Sequence, residues 1–132
     1  MEYKVGDFAS ITKVITDEDI ITFSKISGDT NPVHLNEEYA KTTIFKTRIA
    51  HGMYVASFIS TVLGTQLPGP GSIYIGQEVA FVKPVYINDT ITTKVEIESI
   101  DERRNAKIKK ICFNQNNENV IVGSAIIKLP RE

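Results

Sequence analysis

An acidic and an imidazole side chain stand five residues apart in the segment "SGDTNPVH", residues 27–34. Asn31 precedes a proline, which disfavours helical geometry, and Pro32 suits the first position of a helix, so Asn31 is predicted to cap a helix there. His34 would then lie in the first turn, where the helix dipole favours the neutral imidazole. With Asp29 just outside the turn, the two side chains form a pair that could hold and activate one water molecule.

A second candidate element begins at His51 and Gly52, where a long apolar segment starts. The first amides of a helix lack partners within the helix and can donate to an oxyanion, and a glycine lets a substrate approach the backbone closely. Close packing alone would also explain this glycine, just as loop and cap chemistry alone would explain Asp29 and His34. Taken together, the two motifs predict a water activator beside an oxyanion hole.

The apolar segment predicts a buried helix over residues 52–63. Residues 49–77 contain no Asp, Glu, Lys or Arg. A membrane span needs about 20 consecutive apolar residues, whereas this segment is interrupted by hydroxyl side chains and ends at "PGPG", residues 68–71. A helix that is apolar on nearly all sides is stable in water only when other protein surrounds it.

The surrounding protein is predicted to be an antiparallel sheet that curls around this helix. Alternating apolar and polar residues, clearest over residues 90–100, are typical of strands with one wet face. The predicted strands are residues 72–83, 90–100, 106–113 and 120–129, with a further short strand or arm before residue 15. A helix over residues 17–27 is predicted to begin at a Thr16 and Asp19 capping box, to end at Gly28, and to carry Ile20, Phe23 and Ile26 along one side.

Length and composition favour one domain over residues 1–132, and they exclude some function classes. The 15 basic and 16 acidic residues give a net charge of −1, which argues against nucleic acid as a partner. With two histidines and one cysteine, Cys112, no disulfide and no metal site are expected. The charged amino terminus is unlike a signal peptide, so we expect a cytoplasmic protein with no membrane partner.

These residues resemble a known family, the (R)-specific enoyl-CoA hydratases of the MaoC-like branch of the hot-dog fold. The segments "SGDTNPVHLNEEYA", "TIFKTRIAHGM" and "FVKPVYINDTI" follow in the family's order along essentially the whole chain. The resemblance implies an α+β fold, with a curved antiparallel sheet around a long apolar helix and short overhanging helices. It also implies that Asp29 and His34 are the catalytic pair and that Gly52 supplies the oxyanion amide. Asn31 would support the loop, and Ser60 would either hydrogen-bond near the site or serve only packing.

The activity that the resemblance implies is reversible syn hydration of trans-2-enoyl-CoA to (R)-3-hydroxyacyl-CoA, without a cofactor beyond the CoA of the substrate. It further implies a homodimer, which forms larger assemblies in some members. Three alternatives stay open: the same chemistry on acyl carrier protein thioesters, an acyl-thioesterase, and a non-catalytic acyl-binding module. The basic stretch at residues 101–110 would either contact the CoA phosphates or form a solvated hairpin.

Overall fold

Four helices and five strands make up the part of the chain that the computed structural model describes, residues 2–131. In chain order they are β1 (Phe8–Val14), α1 (Asp17–Ser27), α2 (Pro32–Leu35), α3 (Glu37–Ala40), α4 (Gly52–Thr65), β2 (Ile73–Phe81), β3 (Thr90–Ile100), β4 (Asn105–Phe113) and β5 (Asn119–Lys128). The predicted strands are confirmed with boundaries that move by two residues at most, and the early arm contains β1. The single turn α3 is an addition to the predicted elements.

All five strands form one antiparallel sheet in the order β1-β3-β4-β5-β2, the hot-dog architecture. Strand β3 shows why the sheet has one dry face: Ile91, Thr93, Val95 and Ile97 are fully buried, and the residues between them are partly exposed. This is the predicted period of two, which turns every second side chain towards the core. Strands β1 and β2 are the edges of the sheet.

Helix α4 lies across the dry face of the sheet, as predicted, and extends two residues beyond the expected end. Its buried side chains are Val55, Ala56, Phe58, Ile59, Val62 and Leu63, which join the core cluster with the inward residues of the strands. Within one chain the sheet covers only part of the helix, because Ser57, Ser60 and Thr61 remain exposed. No helix in residues 2–131 is long and apolar enough to cross a membrane.

Helix α1 begins and ends as its sequence predicts. The Thr16 hydroxyl accepts a hydrogen bond from the Asp19 amide at 3.1 Å, the Asp19 carboxylate accepts one from the Thr16 amide at 3.3 Å, and Gly28 ends the helix with a φ of 80°. The predicted apolar side is wrong at its far end, since Ile20 is buried whereas Ile26 is 78% exposed. The second buried side chain of α1 is Ser24, which faces the candidate site.

Candidate active site

Three of the predicted site residues line one cavity of about 490 Å³ at the amino terminus of α4. Asp29 comes from the loop after α1, His34 from α2, and Gly52 is the first residue of α4. Apolar side chains supply most of the remaining wall, among them Phe45, Met53, Phe81, Val82 and Val85. The cavity is therefore mostly apolar with a few converging polar groups, as is usual for small-molecule sites.

His34 is held with one ring nitrogen free to accept a proton. Nδ1 lies 2.8 Å from the carbonyl oxygen of Ile49. A carbonyl only accepts, so Nδ1 carries the hydrogen and Nε2 keeps its lone pair. Helix α2 is a single turn, so its dipole is weak and this hydrogen bond, more than the dipole, defines the tautomer. His34 is 8% exposed as a whole residue, and it lines the cavity.

Arg48 fastens the backbone that carries His34. Its Nε donates to the His34 carbonyl oxygen at 2.7 Å, and its Nη2 donates to a carboxylate oxygen of Asp17 at 2.5 Å. The arginine side chain is only 15% exposed, so this ion pair is better shielded from water than a typical surface pair. Arg48 thus ties α2 to the start of α1.

Asp29 is exposed and lies in a loop with defined local bonds. Its amide donates to the Ser27 hydroxyl at 3.1 Å, and its carboxylate accepts from the Asn31 amide at 3.3 Å. The Asn31 side chain accepts from the Val33 amide at 3.2 Å, which confirms the predicted cap at the start of α2. Asn31 thus shapes the turn between the two halves of the Asp29 and His34 pair.

His51 is a member of the site that the sequence reasoning placed only as the residue before Gly52. Its ring stacks on that of His34, with 3.9 Å between ring centroids and 27° between planes. Nε2 lies 3.0 Å from both the Asp29 carbonyl oxygen and the Ser24 hydroxyl. Burial lowers the pKa of His51, and the neighbouring His34 acts in the same direction, while the bond to the Asp29 carbonyl opposes both. His51 is therefore neutral at pH 7.

A carboxylate and two imidazoles also form a set that could ligate a metal ion. One donor atom each from Asp29, His34 and His51 lies within 4.8 Å of the others. Three protein ligands would suit a catalytic zinc site. However, Nε2 of His51 donates to a main-chain carbonyl and its Nδ1 is fully buried. The arrangement therefore fits a water held by Asp29 and His34 better than it fits a metal.

Gly52 carries a free amide at the start of α4, and the Phe81 ring packs closely against its Cα side. As the first residue of α4, its N–H has no acceptor within the helix. A Cβ atom built at this position would lie 2.7 Å from two ring carbons of Phe81. The glycine therefore allows the Phe81 ring to lie this close, and its φ is not left-handed.

Ser60 lies outside this cavity within one chain. It is exposed and borders a separate groove between α4 and β2, together with Tyr74 and Gln77. The structure thus joins Asp29, His34 and Gly52, places Asn31 in support, and leaves Ser60 apart.

The basic stretch at residues 101–110 lies towards the far end of the sheet from the cavity. Its turn precedes Asn105, which pairs with Lys128, whereas the cavity is lined by Ile121, which pairs with Cys112. Seven residues of strand separate the two ends, roughly 20 Å. The solvated hairpin is the better description for most of this stretch. Lys110 is the exception, because it is fully buried and its Nζ donates to Tyr74 and Gln77.

The antiparallel sheet wrapped around α4 defines a hot-dog protein, and its cavity brings together a carboxylate, an imidazole and the free amide of Gly52. The chain belongs to the MaoC-like family, since the family model described as "MaoC like domain" matches residues 7–119.

Several curated relatives match nearly the whole chain. The (R)-specific enoyl-CoA hydratase of Rhodospirillum rubrum is 47% identical over 98% of this chain and 90% of its own length. The 3-hydroxybutyryl-CoA dehydratase of Methylorubrum extorquens is 46% identical over 99% of this chain and 83% of its own. Among solved structures, the (R)-hydratase from A. caviae involved in PHA biosynthesis superposes with a TM-score of 0.94 at 39% identity, over 97% of this chain and 98% of that one.

Proposed function

We propose that this protein catalyses the reversible syn hydration of trans-2-enoyl-CoA to (R)-3-hydroxyacyl-CoA. The observation that carries the proposal is the meeting of Asp29, His34 and the Gly52 amide on one cavity. The relatives named for (R)-specific enoyl-CoA hydration and 3-hydroxybutyryl-CoA dehydration support a CoA thioester as the substrate. They favour CoA over the acyl carrier protein form that the sequence left open.

In the proposed mechanism, the thioester carbonyl accepts a hydrogen bond from the Gly52 amide, which stabilises the enolate charge as it develops. Asp29 and His34 hold a water molecule between the carboxylate and Nε2. As the water oxygen bonds to C3, the pair removes one of its protons and a proton is delivered to C2 on the same face of the double bond. The water oxygen and one hydrogen end as the hydroxyl on C3, and the former π electrons of the C2–C3 bond form the new C2–H bond. The reaction adds water without any net oxidation or reduction, and Asp29, His34 and the Gly52 amide can handle the charges that develop, so we propose that no metal or cofactor takes part.

We further propose that the active form is a homodimer. Four apolar residues along the edge strand β2 and at its end are at least half exposed within one chain: Ile73, Ile75, Phe81 and Val82. An apolar sheet edge left open to water favours pairing with another chain, and a second copy pairing there would lie beside the cavity that Phe81 and Val82 line. A cytoplasmic location stays a prediction.

The test is the loss of conjugated enoyl-thioester absorbance with crotonyl-CoA, followed by chiral analysis of the product. Asp29→Asn and His34→Ala should each lower kcat by ~10²–10⁴-fold while the fold remains intact by circular dichroism. Wild-type turnover to the (S) alcohol would refute the proposed stereochemistry, and full activity in either variant would refute the proposed role of the pair. Release of free CoA from a saturated acyl-CoA would instead indicate a thioesterase, and turnover restricted to the acyl carrier protein form would correct the carrier.

A further inference from the structure

One residue adjoins every component of the proposed machinery. His51 stacks on His34, its Nε2 meets the main-chain carbonyl of Asp29, and it is the residue directly before Gly52. It therefore adjoins the imidazole, the loop that carries the carboxylate, and the amide that faces the thioester.

The hydrogen on His51 can be placed from its partners. The Asp29 carbonyl only accepts, so Nε2 of His51 carries the hydrogen and donates to it, with the Ser24 hydroxyl as a second acceptor at the same 3.0 Å. Nδ1 is then a bare acceptor. It is fully buried, and no atom in residues 2–131 donates to it.

A purely structural ring at this position would not need nitrogens. The site is closed, with His51 at 2% exposure and the Phe23 ring at 4.8 Å between centroids. Burying an unpaired acceptor costs free energy, whereas a phenyl ring could stack on His34 without that cost. The contacts that a phenyl ring could not make are the hydrogen bonds from Nε2 to the Asp29 carbonyl and to the Ser24 hydroxyl, and of these only the first holds the loop that carries the carboxylate.

We infer that His51 is a positioning residue, which fixes the separation of the Asp29 carboxylate from the His34 ring by holding the Asp29 backbone and stacking on the imidazole. The inference rests on the proposed function, because the separation matters for a water held between the two groups. A misplacement of about 1 Å in such a site can cost ~10²-fold in rate.

The test compares three substitutions that separate the donor from the ring. In His51→Gln the amide nitrogen can reach the place of Nε2 and donate to Asp29. His51→Asn is the matched control, because its shorter amide cannot reach, and His51→Phe keeps the ring but has no donor. Val62→Ala, a core change in the same helix remote from the cavity, shows what lost stability alone does to kinetics.

With crotonyl-CoA we expect His51→Phe and His51→Asn to lower kcat by ~10- to 100-fold at a KM within about threefold of wild type. His51→Gln should recover most of kcat, and Val62→Ala should lower the melting temperature without lowering kcat. Wild-type kcat in His51→Asn, or equal losses in the Gln and Asn variants, would overturn the inference.

Amide hydrogen exchange of residues 28–33 gives a second readout that does not depend on turnover. Exchange should be faster in His51→Asn than in wild type and should return towards wild type in His51→Gln. If the wild-type protein hydrates no enoyl thioester, the proposed function fails, and the exchange data still decide whether His51 holds the loop. Unchanged exchange in His51→Asn would refute that holding role.

Discussion

Substituting Gly52 by alanine should inhibit the enzyme through a neighbouring ring and not through the backbone. The added Cβ would lie 2.7 Å from Cδ1 and Cε1 of Phe81. Carbon atoms in favourable contact are about 3.5–4.0 Å apart, so the ring must move by about 1 Å. Phe81 is 51% exposed within one chain, so displacing its ring should not unfold the chain, but it alters the wall of the substrate cavity.

We expect Gly52→Ala to lower kcat/KM for crotonyl-CoA by ~10- to 100-fold, the scale of a misplacement of about 1 Å. This corresponds to about 1.4–2.7 kcal/mol of transition-state stabilisation. Thermal unfolding should show no large loss, because alanine is a better helix former than glycine.

The assignment to Phe81 can be tested with a double-mutant cycle. In a Phe81→Ala background there is no ring to displace, so adding Gly52→Ala should change kcat/KM by less than about threefold, leaving most of the loss as coupling energy. Gly64→Ala is the matched control, since the same substitution late in α4 meets no atom within 4 Å; it should keep full activity. A loss that is equally large with and without the Phe81 ring would refute the reasoning.

Three further outcomes concern stability. Because burial holds the pKa of His51 below its ordinary 6.5, the unfolded chain binds more protons below about pH 6.5, so the free energy of unfolding should fall as the pH drops towards 5. Urea titrations should show a flatter fall in His51→Gln. Burial also lowers the pKa of Lys110 to about 8, so at pH 7 a buried charge is present, and Lys110→Met should raise stability by about 1–3 kcal/mol. That gain should shrink above about pH 8, as chemical denaturation at pH 7 and 9.5 would show. Thr16→Ala removes the capping box of α1 and should cost ~1 kcal/mol by denaturation at unchanged turnover.

Local sequence signals predicted most of the elements because their causes are local. The capping box at Thr16 and the Asn31 cap before Pro32 act within four residues, and both are present as predicted. The alternation of residues 90–100 depends on neighbours along one strand, and β3 has those bounds. The error at Ile26 has a tertiary cause. The neighbouring elements, and not the helix sequence, decide which part of a short helix is buried.

Lys110 shows a local signal that composition obscured. It belongs to a run of basic residues that is typical of a wet hairpin, yet Ala106, Ile108 and Cys112 alternate with a period of two and are fully buried. That period places residue 110 on the dry side, where the structure has it. Strand periodicity therefore outweighed local charge. The free-energy cost of burying the ammonium group is reduced by the Tyr74 hydroxyl and the side-chain oxygen of Gln77, which accept hydrogen bonds from Nζ.

In the candidate site too, some residues could be predicted from local sequence signals, and others depend on tertiary contacts. Asp29 and His34 are five residues apart and could be paired from spacing alone. His51 reaches them only because α4 starts close to the end of α1 in space, as the hydrogen bond from His51 to the Ser24 hydroxyl shows. Two features of the sequence could have indicated a role for His51: the chain has only two histidines, and this one stands directly before the apolar helix. A helix start that supplies an amide and, one residue earlier, a donor to the opposing loop couples the oxyanion hole to the acid–base pair. Displacing that start should therefore disturb both at once, so variants of His51 and Gly52 are expected to be non-additive in kcat.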